Sequence, residues 1–293
     1  MTELHGVIPY LPTPLTPAGE VDRGALARVC EHLIGRGVHG LCPLGSTGEF
    51  AYLGRDAKRA VVEAVVEAAA GRVPVIAGAA ATATADAVAQ AREWEALGAD
   101  GILAVMEAYF PVPEDGVVAY FTAIADATGL PVTLYTNPSF QRSDLGLGAL
   151  ERLSRHPRIA YLKDASTDTG RLLTILNRLG DRLGVFAASS HVTAAVMLIG
   201  GRGWMAGPSC LVPEASVRLY DFCRAGRWDA AMALQRDLWS MNELFARYQL
   251  AAAIKAGLRL QGLDCGDPAP PQTPVPPEGL AEIEAALGRL GAL

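Results

Sequence analysis

Residues 158–166 read Arg-Ile-Ala-Tyr-Leu-Lys-Asp-Ala-Ser, a β-rich run that closes on Lys163 and leads into a helical pattern from Asp168. The same alternation recurs along the chain. Strands are expected at 7–11, 40–44, 73–77, 101–105, 131–135, 159–163, 184–187 and 203–206. Most are continuous apolar runs without strict alternation, the pattern of parallel strands covered on both faces. Amphipathic helices are expected between them at 22–37, 54–70, 84–97, 113–128, 147–156, 168–183 and 192–199. Asp22 and Asp168 stand where N-caps fall, and Gly98 and Gly129 where left-handed C-caps fall. Eight βα units in series predict an α/β fold, a (β/α)₈ TIM barrel. The alternative, a doubly wound sheet, is weakened because no Gly-x-Gly-x-x-Gly follows the first strand.

The expected barrel occupies residues 1–226 and carries the chemistry. Residues 227–293 form a C-terminal helical extension, with helices at 228–248, 250–260 and 278–290. The proline-rich stretch 268–277 is short and runs into a helix, so it is expected to be an ordered strap across the surface rather than a linker.

The chain has 293 residues and is 51% hydrophobic and 19% charged, enough to bury a large core. A net charge of −6 gives no reason to expect a nucleic-acid or anionic-membrane partner. Residues 1–9 lack a basic start followed by an apolar core, and no apolar stretch is long enough to span a bilayer. Cys30, Cys42, Cys210, Cys223 and Cys265 are odd in number and scattered, without metal-type spacing. A cytoplasmic protein with buried free thiols is the expectation.

Only three lysines occur, Lys58, Lys163 and Lys255, against 22 arginines. Arginine is the default surface cation here, so a retained lysine asks for a reason. A lysine can lose its proton and attack a carbonyl to form a Schiff base, which arginine cannot. An ordinary charge at a strand end is the plain alternative for Lys163. Active sites of barrels lie at the C-terminal strand ends. That rim is expected to collect Gly45-Ser46-Thr47-Gly48-Glu49, Tyr135 before Thr136-Asn137-Pro138, Lys163, Ser189-Ser190-His191 and Gly207-Pro208-Ser209. Glycines on both sides of Ser46 and Thr47 let backbone N–H groups approach a small carboxylate, though a tight turn with a capping hydroxyl would read the same. Tyr135 is either a core tyrosine or a proton relay. His191, alone, reads as lining a helix start. His5, His32, His39 and His156 share no face with it, which argues against a histidine metal site. A lysine, a tyrosine and a hydroxyl-rich anion loop on one rim suggest Schiff-base chemistry on a 2-oxo acid.

With these motifs in order, the chain resembles the dihydrodipicolinate synthase / N-acetylneuraminate lyase family over nearly its whole length. The resemblance rests on Gly45–Glu49, on Leu134-Tyr135-Thr136-Asn137-Pro138 and on Tyr161-Leu162-Lys163-Asp164-Ala165-Ser166. It implies class I chemistry without metal or cofactor. Lys163 would form the Schiff base, Tyr135 and Thr47 would serve proton transfer, and Ser46, Thr47 and Gly48 would hold the carboxylate of pyruvate. Tyr109, in Ala108-Tyr109-Phe110-Pro111, matches the tyrosine that the family inserts into a neighbouring subunit's site. The implied assembly is a homotetramer built as a dimer of dimers. Two departures bear on the second substrate, an aldehyde or sugar acid. The lysine-pathway synthases usually have Tyr-Asn-x-Pro-x-Arg after the fifth strand, and here Phe140 stands where that arginine would be, with Arg142 two residues on. The family's Ser-Gly-Asp-Asp reads Ala188-Ser189-Ser190-His191. Glu49-Phe50 resembles the 5-dehydro-4-deoxyglucarate dehydratases of the family. The expected function is a pyruvate- or 2-oxo-acid-dependent aldolase acting through a lysine Schiff base. A 2-oxo sugar-acid dehydratase is the first alternative. A barrel that binds a 2-oxo acid without turnover, or a metal-dependent aldolase, would need features that the sequence does not supply.

Overall fold

Seven parallel strands form one curled sheet in the computed structural model, which describes residues 3–142 and 145–293. Met1 and Thr2, at the start of the N-terminal stretch read above, lie outside the described residues. The strands are β1 (Gly6–Pro9), β2 (Ile76–Ala81), β3 (Gly101–Met106), β4 (Val132–Thr136), β5 (Ile159–Asp164), β6 (Gly184–Ala187) and β7 (Gly203–Ala206). Their order is β1-β7-β6-β5-β4-β3-β2. Eight helices alternate with the strands: α1 (Arg23–Gly35), α2 (Arg55–Ala69), α3 (Thr84–Ala96), α4 (Glu114–Asp126), α5 (Leu147–Leu153), α6 (Thr169–Leu179), α7 (Thr193–Leu198) and α8 (Pro213–Arg224). Then follow α9 (Trp228–Tyr248), α10 (Leu250–Leu260) and α11 (Pro277–Arg289). Asp22 and Asp168 cap α1 and α6, each carboxylate accepting the backbone N–H three residues on.

Alternation along each strand sorts the core into two layers. Val7, Ile102, Leu134, Leu162 and Val185 face the helices. Ile8, Leu103, Tyr135, Tyr161 and Phe186 fill the interior of the curl. Lys163 lies two residues beyond Tyr161 on β5, so the same parity turns it inward. The outer layer continues without a break into the C-terminal helices, where Ile254, Leu258, Ile283 and Leu287 belong to it.

Segment 40–44, expected as a strand, forms only isolated bridges: Tyr10 with Cys42, and Leu41 with Val75. It still bonds on both sides. The Cys42 N–H donates to Pro9 O at 2.9 Å, and the Ile76 N–H donates to Leu41 O at 2.9 Å. The ladder stops because Pro43 has no N–H to give and Leu44 turns left-handed at φ 58°. Gly78 accommodates that turn: a Cβ there would lie 2.0 Å from the Leu44 carbonyl oxygen. The next strand also shifts, from the expected 73–77 to β2, because Pro74 cannot donate to the ladder. Gly98 adopts the expected left-handed conformation at φ 94°. Gly129 does not: α4 is capped at Ala127, so Gly129 lies one residue past the C′ position, where its N–H donates to the Glu95 carboxylate at 3.1 Å. The stretch 268–277 is ordered: Ala269 and Gln272 both bond to buried Glu49. All five cysteines are free and buried.

Beneath the sheet, His39 packs edge-on between His5 and Tyr220, with ring centroids 5.1 and 4.8 Å away. Its Nδ1 accepts the Val7 N–H at 3.2 Å, which requires a neutral ring. Burial, reinforced by His5, lowers the His39 pKa below the ordinary histidine value. Burial lowers His191 likewise. The unfolded chain therefore takes up these protons at a higher pH than the native one. The stabilisation is complete above the ordinary histidine pKa and is lost as pH falls through the depressed native values. The melting temperature is expected to drop between about pH 7 and pH 5.5, before carboxylates titrate. His39→Gln, which keeps an acceptor but cannot protonate, should flatten that drop in thermal melts at each pH.

Candidate active site

Parallel register sets the site. Tyr135 on β4 is the direct partner of Lys163 on β5, and Lys163 is the partner of Phe186 on β6. Tyr135 and Lys163 both point inward, so the Lys163 Nζ lies over the Tyr135 ring, 3.7 Å from its centroid. A second ring, Tyr10, lies 5.0 Å from the same nitrogen and meets Tyr135 edge to face. Two aromatic faces on an ammonium are an attractive arrangement in a water-poor interior. Only 5% of the Lys163 surface is exposed.

The phenol oxygen of Tyr135 is the hub. It is 3.1 Å from Ser46 Oγ and accepts from Asn137 Nδ2 at 3.2 Å. Burial pushes the phenol up, but the Lys163 ammonium and the bonds with Ser46, Asn137 and Lys163 more than offset this, so its pKa is lowered overall. Asn137 is itself held by the turn that ends β4: its N–H donates to Gln141 Oε1 at 2.8 Å, and its Oδ1 accepts the Ser139 N–H at 3.0 Å.

Ser46–Gly48 forms a single 3₁₀ turn. The Gly48 and Glu49 N–H groups close it, donating to the Gly45 and Ser46 carbonyls. The earlier N–H groups, of Ser46 and Thr47, are the ones that face outward from the turn. Gly45 packs on the Tyr10 ring, where a Cβ would lie 2.5 Å from Cδ2. Thr47 is fully buried, and its Oγ1 has no hydrogen-bond partner among the described residues. Loop, phenol and amine thus converge on one end of the sheet, as the sequence predicts for Ser46, Thr47, Gly48, Tyr135 and Lys163.

Tyr109 is elsewhere. It is 74% exposed and meets the equally exposed Phe110 ring edge to face, with the Arg142 guanidinium 6.0 Å above its ring; Phe140 is 69% exposed. Phe140 and Arg142 both stand at the surface. His191 is buried, its Nδ1 accepting the Ala188 N–H at 3.3 Å, and Nε2 has no partner among the described residues. Glu107 carries a carboxylate oxygen that is buried without a partner among them, near half-buried Lys58. Among the described residues, no three His, Cys, Asp or Glu side chains are grouped to share a metal ion, and no helix is long and apolar enough to cross a membrane.

A sequence model of the Dihydrodipicolinate synthetase family matches residues 3–290. The chain belongs to that family. As a member it is a lyase. A 4-hydroxy-tetrahydrodipicolinate synthase of Acidiphilium cryptum (strain JF-5) is 34% identical over 289 residues, covering 99% of each chain. A dihydrodipicolinate synthase structure from Agrobacterium tumefaciens superposes with a TM-score of 0.91 at 29% identity, covering 98% of each chain. YagE, a prophage protein of E. coli K12 solved in complex with pyruvate, superposes with a TM-score of 0.93 at 26% identity over the whole of both chains.

Sequence reasoning passed over Tyr10, Asn137 and Lys255. Tyr10 sits in an ordinary apolar strand pattern that carries no chemical signal. Asn137 was legible only as a turn residue. Lys255 did carry a signal, the rarity of lysine, but its partner Glu49 is distant in the chain. The bonds to the Tyr135 oxygen make a direct prediction. Ser46→Ala and Asn137→Leu each remove one, so the phenol pKa should rise in both. Tyrosinate absorbance titrations, referenced to Tyr135→Phe, check this; an unchanged titration in both variants would show that the network does not tune the phenol.

Proposed function

We propose that this lyase acts on pyruvate or another small 2-oxo acid through a Schiff base on Lys163. One observation carries the reading: an inward lysine amine stacked 3.7 Å over the ring of a tyrosine whose hydroxyl is bonded to the anion-loop serine. The substrate carboxylate would lie against the Ser46 and Thr47 N–H groups and the Thr47 hydroxyl, leaving the ketone carbon at Lys163. The neutral amine attacks that carbon, a C–N bond forms, and the ketone oxygen takes a proton to give a carbinolamine. Tyr135 supplies that proton and recovers one from the amine nitrogen; it then protonates the carbinolamine hydroxyl, which leaves as water to give the protonated imine. Loss of a C3 proton makes the enamine, which adds to an aldehyde carbon. Hydrolysis then frees product and lysine. A relay works best when its pKa is drawn toward the working pH, and that is the direction in which Tyr135 is shifted.

The closed (β/α)₈ barrel belongs to this reading, with residues 40–44 in the eighth place, because they bond to both edge strands. Residues 1–226 would form the catalytic barrel and 227–293 its helical extension. The enzyme would be cytoplasmic and need no metal or cofactor. The exposed rings of Tyr109, Phe110 and Phe140 would be covered in a homotetramer, where Tyr109 reaches a neighbouring site. The second substrate would not be an aldehyde gripped by an arginine from the turn after β4, since Phe140 stands in that place and Arg142 lies over Tyr109.

Borohydride with pyruvate should add mass to the Lys163 peptide alone, and Lys163→Ala should abolish the addition while the protein stays folded. Label on Lys58 or Lys255 would refute the assignment. Tyr135→Phe keeps the ring, so it should fold and lose roughly 10²–10⁴-fold in turnover; steady-state rates decide. Wild-type turnover with aspartate semialdehyde should be low beside that with a hydroxylated or apolar aldehyde, as a substrate panel would show. Light scattering should give the mass of four chains.

A further inference from the structure

The anion loop is bracketed by two non-glycine residues in the left-handed region, Leu44 at φ 58° and Glu49 at φ 59°. Such residues persist only where their surroundings over-determine them, and they concentrate at functional sites. Leu44 is accommodated by Gly78, as described above. Glu49 is held from the far end of the chain. Its Oε2 lies 2.6 Å from the Lys255 ammonium on α10. Its Oε1 accepts the Ala269 N–H at 2.6 Å and Gln272 Nε2 at 3.1 Å, both from the strap. Lys255 also donates to the Asp267 carbonyl at 2.9 Å. The Glu49 and Lys255 side chains are 0% and 2% exposed. The same helix backs the loop directly. A Cβ on Gly207 would fall 2.4 Å from Ile254 Cδ1 and 2.5 Å from Thr47 Oγ1, so α10, the turn after β7 and Thr47 are in close contact.

Both charged groups are committed to each other and to the strap, and neither serves the chemistry above. We propose that Glu49 and Lys255 are positioning residues: the pair clamps the left-handed turn at Glu49, and so fixes the Ser46 and Thr47 groups that receive the carboxylate of the 2-oxo acid. The C-terminal helices and strap then set substrate affinity as well as completing the fold. This inference rests on the Schiff-base reading of Lys163.

A purely structural pair would hold the extension to the sheet without affecting substrate affinity. Two variants separate the roles. Glu49→Met with Lys255→Met replaces the pair by apolar chains of similar length, an exchange that buried ion pairs often tolerate. Gln272→Leu removes only one bond from the half-buried strap. The measurement is borohydride trapping of pyruvate on Lys163, read as half-saturating pyruvate and as maximal trapping, with a thermal melt of each protein. The double variant should melt near the wild type and raise half-saturating pyruvate roughly 10- to 100-fold, the scale on which small misplacements act. Maximal trapping should be preserved. Gln272→Leu should shift half-saturation in the same direction by less. A folded double variant with wild-type half-saturation would overturn the inference, and so would a loss confined to maximal trapping. If the double variant does not fold, unchanged half-saturation in Gln272→Leu overturns it. If wild type itself is not trapped, the Schiff-base reading fails first and this inference with it.

Discussion

The parallel register between β4 and β5 is the constraint on which the site depends. Tyr135 and Lys163 are direct partners across those strands, and the two-residue pleat sends both into the interior of the curl. A slip of one residue on either strand would send one of them out among the helices, where Leu134 and Leu162 now pack. The interior offers little water, so the ammonium is accommodated by ring faces and by the electron-rich oxygen of the hub. The features that make the pair chemically useful, closeness and a lowered phenol pKa, are therefore set by backbone geometry before any substrate arrives.

The three lysines show how burial assigns different roles to one side-chain type. Lys163 faces the rings of Tyr10 and Tyr135. Lys255 is matched with a carboxylate and a carbonyl, and its three N–H donors are largely committed. Lys58 is half-buried beside Glu107 and Asp86, with Phe50 6.0 Å away, and burial lowers its pKa.

Much of this was legible in the sequence. The run 159–163 was readable as a buried parallel strand, and the glycine-bracketed hydroxyls as a tight turn at the strand-end rim, because pattern and local chemistry agree there. Asp22 and Asp168 were readable as caps for the same reason. The stretch 40–44 looked like a strand by composition, but whether a ladder forms depends on Pro43 and on the turn at Leu44, which follow from the close approach to Gly78. Gly129 looked like a left-handed cap, but α4 is capped at Ala127, which leaves Gly129 one residue too far along the chain. Glu49 was legible only as the end of a motif. Its role comes from Lys255, Ala269 and Gln272, contacts across most of the chain that no local pattern encodes.

The most direct test of the account is a crystal structure of the protein reduced with borohydride in the presence of pyruvate. The account predicts continuous density from Lys163 Nζ to the second carbon of the former 2-oxo acid, its carboxylate on the Ser46 and Thr47 N–H groups, and the Tyr135 hydroxyl within hydrogen-bond distance of the new C–N unit. An adduct on another residue, or a carboxylate bound away from the Ser46–Gly48 turn, would contradict it.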